Sequence, residues 1–521
     1  MTFLREKIGR WCCIFMAVIG IGVYTFLTIY ACRYSKLYSS EYAVTDCKDN
    51  LVMMLFGIVG AVLVTWFLNR QKGKLVNSGI RVIAVVLSLL FGLFAYRLVS
   101  NANEWVVADT AQVYLAAKDM AEGVYDGIIL TDYFRVYPYQ LYVATIFSLL
   151  FQIARSVEVL AVFRIQAVLA GMTVYGVYML SHEIWNDATQ DILSILAAVS
   201  FLPIALYSLS FYGECIATFC CVYALFFFNR LIKERILWKK IVYSVALLLL
   251  ILVTYFSRGA LLIVVIAMCI IGLLEVFGEK KMFPMIVMAC SLILIAAACA
   301  GVNRNVSRRS GVAPDSGTPM LLGVVMALQD GEGDNSVPGV YTGYERELYV
   351  ASGFDREKAQ AQALEDLKGI VAEWTASPRK ILNLMKRKQL AQYNEPTYGA
   401  FAATWYMEEP QEWISEIYHG TLKKPIWDML NILQTLLYLG ATAYFVDILL
   451  RPRRVEEGLI GFVLVGEFLF SMIWETQSRY IYPYMVMLLP CSARGIYVLS
   501  DWLLQTITRI WDKQKGAGRE K

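Results

Sequence analysis

The chain consists of long apolar runs separated by short polar segments. Thirteen such runs begin near residues 11, 51, 81, 138, 158, 190, 212, 241, 259, 283, 426, 457 and 480. Most are roughly 17–24 residues long, the length that an α-helix needs to cross a hydrocarbon core of about 30 Å. The pattern therefore predicts an all-α polytopic membrane protein. The first run follows the basic segment MTFLREKIGR and is longer than a signal-peptide core, so we expect a retained helix.

The distribution of Lys and Arg indicates which runs cross, because cytoplasmic loops of membrane proteins are enriched in these residues. If the run at 138–157 does not cross, 22 of them fall in predicted inner segments and five in short outer loops. If that run crosses, 15 of the 22 move outside. We therefore predict about twelve transmembrane helices, cytoplasmic termini, and an interfacial helix at 138–157 on the outer face.

The lengths of the outer segments suggest how the chain is divided. Segment 302–425 is too long for a bare connection. It contains two amphipathic helical patterns, the first with Asp355 as a predicted N-cap. The predicted units are an N-terminal helical hairpin at 1–80, a membrane core at 81–301 with an outer catalytic loop at 100–157, a small outer lid at 302–425, and C-terminal transmembrane helices with a cytoplasmic tail at 426–521.

Composition supports the membrane assignment and excludes several kinds of site. The chain is 58% hydrophobic and 17% charged, whereas ordinary globular domains are about 45–50% apolar and about 25% charged. Its two histidines, His182 and His419, are far apart, which disfavours a His-based metal site or a Ser-His-Asp triad. No GxxxxGK[ST] or strand-linked GxGxxG motif occurs. The net charge of +4 comes with basic residues in topology-setting loops, so we expect no nucleic-acid partner.

Polar groups occur at the predicted outer membrane edge in five segments. Charges in this position are costly, and they indicate a functional site. Arginine binds phosphate oxygens in a fork, and a carboxylate can accept a proton from an attacking hydroxyl. We therefore predict a site for a substrate with a phosphate and a lipid tail. The five segments are ADTAQ with Asp109, DYFRVYPYQ with Arg135 and Tyr137, SFYGECIATF with Glu214, FSRGALL with Arg258, and WETQSRYIYPY with Arg479 and Tyr480.

The order of these segments resembles the GT-C superfamily of membrane glycosyltransferases, which includes protein O-mannosyltransferases and aminoarabinose transferases. Asp109 matches the acid of that family's first outer loop, and YGE with Glu214 resembles its YxD helix start. DYFRVYPYQLYV resembles the stretch before an interfacial helix. GVYTGYE, KQLAQYNEPTYG with Lys388 and Glu395, and ETQSRYIYPY resemble segments of Gram-positive bacterial members. The resemblance covers about residues 80–500, and Glu214 departs from the commoner Asp.

The resemblance implies an enzyme in a bacterial cell membrane with its active site on the extracytoplasmic face. It would transfer a sugar, with inversion, from a polyprenyl-phosphate donor to a hydroxyl acceptor. Asp109 would be the general base, and Glu214 would position the acceptor or bind a divalent cation. Mg²⁺ or Mn²⁺ is the one cofactor left open. Arg258 and Arg479 would stabilise the leaving phosphate. The further candidate substrate-binding residues are Arg135, Tyr137, Lys388, Glu395 and Tyr480.

Two other functions remain open at the level of sequence. A transporter or flippase for lipid-linked sugars would carry inverted repeats, but the chain shows no internal repeat and its acids gather at one predicted face. A non-catalytic protein of a cell-envelope assembly would retain the fold without the activity. The acceptor is equally open between a wall polymer or other glycan, a glycolipid and a protein.

Overall fold

Helices form nearly all of the protein. Among the described residues, nine helices are long and apolar enough to cross a membrane, and the pair 188–200 and 203–209, bent by 51°, is a tenth candidate. The protein is therefore a polytopic helical membrane protein, while the number of twelve crossings stays a prediction. The computed structural model describes residues 2–32, 35–39, 42–46, 51–71, 77–102, 106–128, 131–279, 282–330, 337–404, 411–451 and 455–517.

The N-terminal part contains three long helices and one β-hairpin. The hairpin is antiparallel, with Ser35 opposite Asp46 and Ser39 opposite Tyr42. The sequence analysis did not predict it, because two five-residue strands between long apolar runs give little periodic signal. The elements are α1 (Thr2–Ala31), β1 (Ser35–Ser39), β2 (Tyr42–Asp46), α2 (Leu51–Gln71) and α3 (Asn77–Ser100).

The central part contains ten helices, and three of the five short ones lie in the predicted catalytic loop. One of them, Gln140–Ala154, has 15 residues, so it is about 22 Å long and shorter than a hydrocarbon core. The placement of this helix at the outer membrane interface stays a prediction. The helices are α4 (Ala108–Glu122), α5 (Asp132–Val136), α6 (Gln140–Ala154), α7 (Val159–Trp185), α8 (Ala188–Ser200), α9 (Pro203–Leu206), α10 (Glu214–Lys233), α11 (Leu237–Ser257), α12 (Leu262–Glu279) and α13 (Phe283–Ser310).

The region predicted as a lid contains six short or amphipathic helices. Asp355 caps the longest, because its carboxylate accepts hydrogen bonds from the backbone N–H groups of Glu357 and Lys358. This N-cap and the second amphipathic helix after it are confirmed. The helices are α14 (Met320–Ala327), α15 (Tyr344–Ala351), α16 (Arg356–Ala376), α17 (Pro378–Tyr393), α18 (Ala400–Thr404) and α19 (Glu412–Tyr418).

The C-terminal helices form the centre of the molecule. They are α20 (Lys423–Leu450), α21 (Leu459–Ile473) and α22 (Ser478–Ala517). Helix α1 packs along α20, where the rings of Tyr24 and Phe445 stack with centroids 5.6 Å apart. The N-terminal helix is thus part of the core. The Tyr393 hydroxyl donates a hydrogen bond to Glu467 in α21, which ties the outer helix α17 to the core.

Candidate active site

One cavity of about 370 Å³ collects groups from seven separate parts of the chain. Its wall includes the start of α4, the segment around α5, Phe163 of α7, the residues before α10, the start of α15, helix α18 with the residue before it, and the start of α22. Three acids and one arginine line it together with a set of tyrosines. The acids are Asp109, Glu345 and Glu475; the arginine is Arg479; the tyrosines are Tyr133, Tyr137, Tyr139, Tyr212, Tyr341 and Tyr480.

Asp109 lies in the first turn of α4, which opens directly into the cavity. The Thr110 hydroxyl accepts a hydrogen bond from the Val107 N–H at 2.9 Å, and this fixes the helix start. Tyr212 directs its hydroxyl at Asp109 Oδ2 over 3.5 Å, and Gln140 Nε2 donates to the Tyr212 hydroxyl at 2.7 Å. The contact to Asp109 is long for an O–H···O hydrogen bond. The carboxylate therefore keeps acceptor capacity for a substrate proton.

Glu214 and Arg258 form a buried ion pair that is not part of the cavity lining given by the described residues. Ser210 also donates to the Glu214 carboxylate, at 3.3 Å. Gly213 makes the pairing possible: its φ is +91°, and a Cβ there would lie 2.6 Å from the carbonyl oxygen of Ser257. The glycine of the YGE motif thus lets the start of α10 approach the end of α11.

Arg479 points into the cavity from the first turn of α22. Its guanidinium carbon lies 5.0 Å from the ring centroid of Tyr212 and 5.4 Å from that of Tyr480. Its Nε atom is buried and donates no hydrogen bond to any described residue. Arg479 also lines the cavity, and an arginine in such a wall can bind an anion. Arg258 contacts the same two rings, at 4.6 and 5.3 Å.

A tight loop with Glu395 supports the backbone of Arg479. The Glu395 carboxylate accepts hydrogen bonds from the N–H and hydroxyl of Thr397 and from the N–H of Gly399. Tyr398 and Gly399 both have positive φ, +50° and +77°. A Cβ on Gly399 would lie 3.0 Å from the backbone nitrogen of Arg479. Glu395 therefore shapes the loop on which Arg479 rests, and burial raises the pKa of its carboxyl group to about 7.

Two other predicted binding residues lie away from the cavity. Lys388 is fully buried in α17 and donates from Nζ to the carbonyl oxygen of Ala327 at 2.6 Å. Burial lowers the pKa of this lysine to about 7. Arg135 approaches Asp315 at 3.7 Å and covers the ring of Phe354 at 3.4 Å. Lys388 thus connects α17 to the end of α14, and Arg135 connects α5 to Asp315 and Phe354 of the outer region.

Four of the nine predicted site residues line the cavity together: Asp109, Tyr137, Arg479 and Tyr480. The other five, Glu214, Arg258, Arg135, Lys388 and Glu395, are not part of its lining. The sequence analysis missed Glu345 and Glu475. Both occur in motifs that it singled out, GVYTGYE and ETQSRYIYPY, but an acid in a polar segment is not conspicuous.

Within the part of the chain that the structure describes, the carboxylates and other possible metal ligands do not form a ready-made cluster for a divalent cation. The described residues contain no group of three or more His, Cys, Asp or Glu side chains that could hold a metal ion. The Glu214 carboxylate, which the sequence suggested as a ligand, is occupied by Arg258 and Ser210. The proposed catalytic steps below therefore use side chains of the protein alone.

Comparisons with known proteins do not assign a family to this chain. No family model matches the chain, and no curated protein sequence matches it.

Proposed function

We propose that this protein is a GT-C-type glycosyltransferase that moves a sugar from a polyprenyl-phosphate donor to a hydroxyl acceptor with inversion. The observation that carries this proposal is that Arg479 lines the same cavity as Asp109. An arginine that can bind a phosphate and a carboxylate that can take a proton are the two groups that such a transfer needs.

In the proposed reaction, the acceptor oxygen forms a bond to the anomeric carbon of the sugar. Asp109 takes the proton of the acceptor hydroxyl. The bond between the anomeric carbon and the phosphate oxygen breaks, and its electron pair leaves with the polyprenyl phosphate. Arg479 stabilises the charge that develops on this phosphate. Tyr212 lies between the two groups, since its hydroxyl faces Asp109 and its ring faces the Arg479 guanidinium.

Glu214 and Arg258 receive an indirect role in this proposal. The ion pair places the Arg258 guanidinium against Tyr212 and Tyr480, the same rings that contact Arg479. Its positive charge adds to the potential at the phosphate side of the cavity. We propose that Glu214 positions Arg258 and is not itself in contact with substrate.

The proposed location follows from the charge distribution in the sequence. Both termini would be cytoplasmic in a bacterial cell membrane, and the cavity would face the extracytoplasmic side, where the tail of the donor stays in the bilayer. The acceptor, a glycan, lipid or protein, would arrive from outside. Nothing in the cavity requires that the substrate cross the membrane, so the transporter hypothesis gains no support from it.

The test uses purified protein in liposomes with a panel of radiolabelled polyprenyl-phosphate sugars. We expect transfer by the wild type, and a loss of about 10²–10⁴-fold in Asp109→Asn, because general-base catalysis contributes that much. Asp119→Asn is the matched control, since Asp119 lies in the same helix but is not part of the cavity lining. Full turnover by Asp109→Asn would exclude Asp109 as the base.

A further inference from the structure

Glu345 is an acid in the cavity for which the proposed reaction has no role. It lies in the first turn of α15, and it lines the cavity with Asp109 and Glu475. Its carboxylate fits over Gly323 of α14 and beside Trp474: a Cβ on Gly323 would lie 3.3 Å from Glu345 Oε2 and 3.5 Å from the Trp474 ring. Helix α15 thus carries an acid from the outer region to the side of the cavity where Asp109 is found.

The groups that face Glu345 are acids and phenols. They are Asp109 on α4, Glu475 before α22, and the tyrosines Tyr137, Tyr139 and Tyr341. Helix α14 contributes Gly323, which carries no charge, and on α16 the Asp366 carboxylate is occupied by the Tyr344 hydroxyl. No Lys or Arg of the described residues lies within ion-pairing distance of the Glu345 carboxylate. An acid in this setting favours its neutral form.

The pKa of Glu345 agrees with this placement. Burial raises it first, the charges of Glu475 and Asp109 raise it further, and the Tyr137 hydroxyl opposes them, so that the pKa reaches about 7. A protonated carboxyl group can donate a hydrogen bond, whereas a carboxylate can only accept one.

We propose that Glu345 binds the acceptor: its carboxyl group donates a hydrogen bond to one oxygen of a polyhydroxyl acceptor while the neighbouring hydroxyl of that acceptor faces Asp109. The proposal rests on the function proposed above and adds a substrate class to it, a polyol or glycan. The Glu345 carboxyl group would donate a hydrogen bond to one hydroxyl oxygen of the acceptor. The Asp109 carboxylate would accept a hydrogen bond from the adjacent hydroxyl. An acceptor with an ammonium group would require Glu345 in its ionised form.

The proposal predicts a particular pH dependence. Below about pH 7 the Glu345 carboxyl is neutral and can donate. Above that pH it ionises, no longer donates, and repels the charge of Asp109. The KM for the acceptor should therefore rise as the pH increases above 7. An amide side chain at this position would keep a donor at every pH, so Glu345→Gln should remove this rise. In Glu345→Ala the KM should lie about tenfold above the low-pH wild-type value and should not depend on pH.

The first experiment needs no substrate. A carboxyl whose folded-state pKa is raised from 4.5 to about 7 contributes stability that is fully present below pH 4.5 and is lost as the pH rises through 7. The unfolding temperature of the wild type, relative to that of Glu345→Gln, should therefore fall between about pH 5 and pH 8. Other titrating groups, such as Lys388 and Glu395, are common to both proteins. Parallel curves would mean that Glu345 holds no proton, and would overturn the proposal.

The second experiment measures transfer from the active polyprenyl-phosphate sugar to glycerol and to a short soluble glycan. A KM for the acceptor that rises above pH 7 in the wild type but is independent of pH in Glu345→Gln supports the acceptor role. If Glu345→Gln is impaired as much as Glu345→Ala, the carboxylate acts in its charged form and the proposal is wrong. Asp109→Asn separates the two hypotheses: full activity of that variant would contradict the proposed reaction itself, whatever the pH profile of Glu345→Gln.

Discussion

Two arginines contact the same pair of tyrosine rings, yet their surroundings differ. Arg258 forms an ion pair with Glu214, and the two side chains are 16% and 1% exposed. Arg479 lines the cavity, and its buried Nε has no hydrogen-bond partner among the described residues. A buried charge costs free energy unless it is compensated. The direct ion pair marks Arg258 as a structural cation. Arg479 has the charges of Glu214 and Glu475 nearby but forms no ion pair among the described residues, and it lines the cavity.

The largest effect should come from removal of the Arg258 charge. Arg258→Met leaves the Glu214 carboxylate buried without its cation, and we expect the free energy of unfolding to fall by about 3–5 kcal/mol. Denaturant titration in detergent micelles would measure this. The double variant Glu214→Leu, Arg258→Met is the control, because replacement of a whole buried pair by apolar residues is often neutral. A single variant as stable as wild type would contradict a structural role for the pair.

Arg479 should show the reverse pattern, with activity lost and stability kept. In Arg479→Met we expect transfer to fall about 10²–10³-fold, the usual cost of one lost transition-state donor. The unfolding temperature should change little, because relief of the desolvation cost of a buried guanidinium offsets the loss of two ring contacts and of the attraction to Glu475. Arg135→Gln is the control, since Arg135 faces Asp315 and Phe354 outside the cavity. Equal loss of activity in both variants would contradict a specific phosphate contact.

The comparison also shows what could be predicted from the sequence. Helical periodicity and charge at the ends of apolar runs were sufficient to select Asp109, Arg258 and Arg479. The pairing of Arg258 with Glu214 was not predictable, because it depends on the approach of two helix ends that are distant in sequence. Glu345 was missed for the same kind of reason: its burial depends on contacts with Gly323 and Trp474, which no local pattern reveals.

The loop with Glu395 and Gly399, on which Arg479 rests, gives a weaker test of the difference between Arg479 and Arg258. Glu395→Gln keeps the size of the side chain but presents an amide NH₂ where the carboxylate accepts from the Gly399 N–H. We expect a loss of about 1.5–3 kcal/mol of stability, the range for hydrogen bonds to charged groups, together with a raised KM for the donor, since Gly399 packs on Arg479. Glu373→Gln, in an exposed ion pair with Lys380, is the control for a carboxylate-to-amide change. An unchanged KM for the donor would mean that Glu395 does not position Arg479.

The smallest effect should come from a single methyl group at the start of α10. Gly213→Ala places a Cβ 2.6 Å from the Ser257 carbonyl oxygen at a φ of +91°, and such strain costs about 1–3 kcal/mol. Because the shift separates Glu214 from Arg258, we expect destabilisation with only a modest loss of transfer. Gly301→Ala is the control: a Cβ at Gly301 in α13 has nothing within 4 Å, and the change should stabilise the helix by about 0.4–1 kcal/mol. If Gly213→Ala instead abolished transfer at unchanged stability, the Glu214–Arg258 pair would belong to the reacting site, and the contrast between the two arginines would fail.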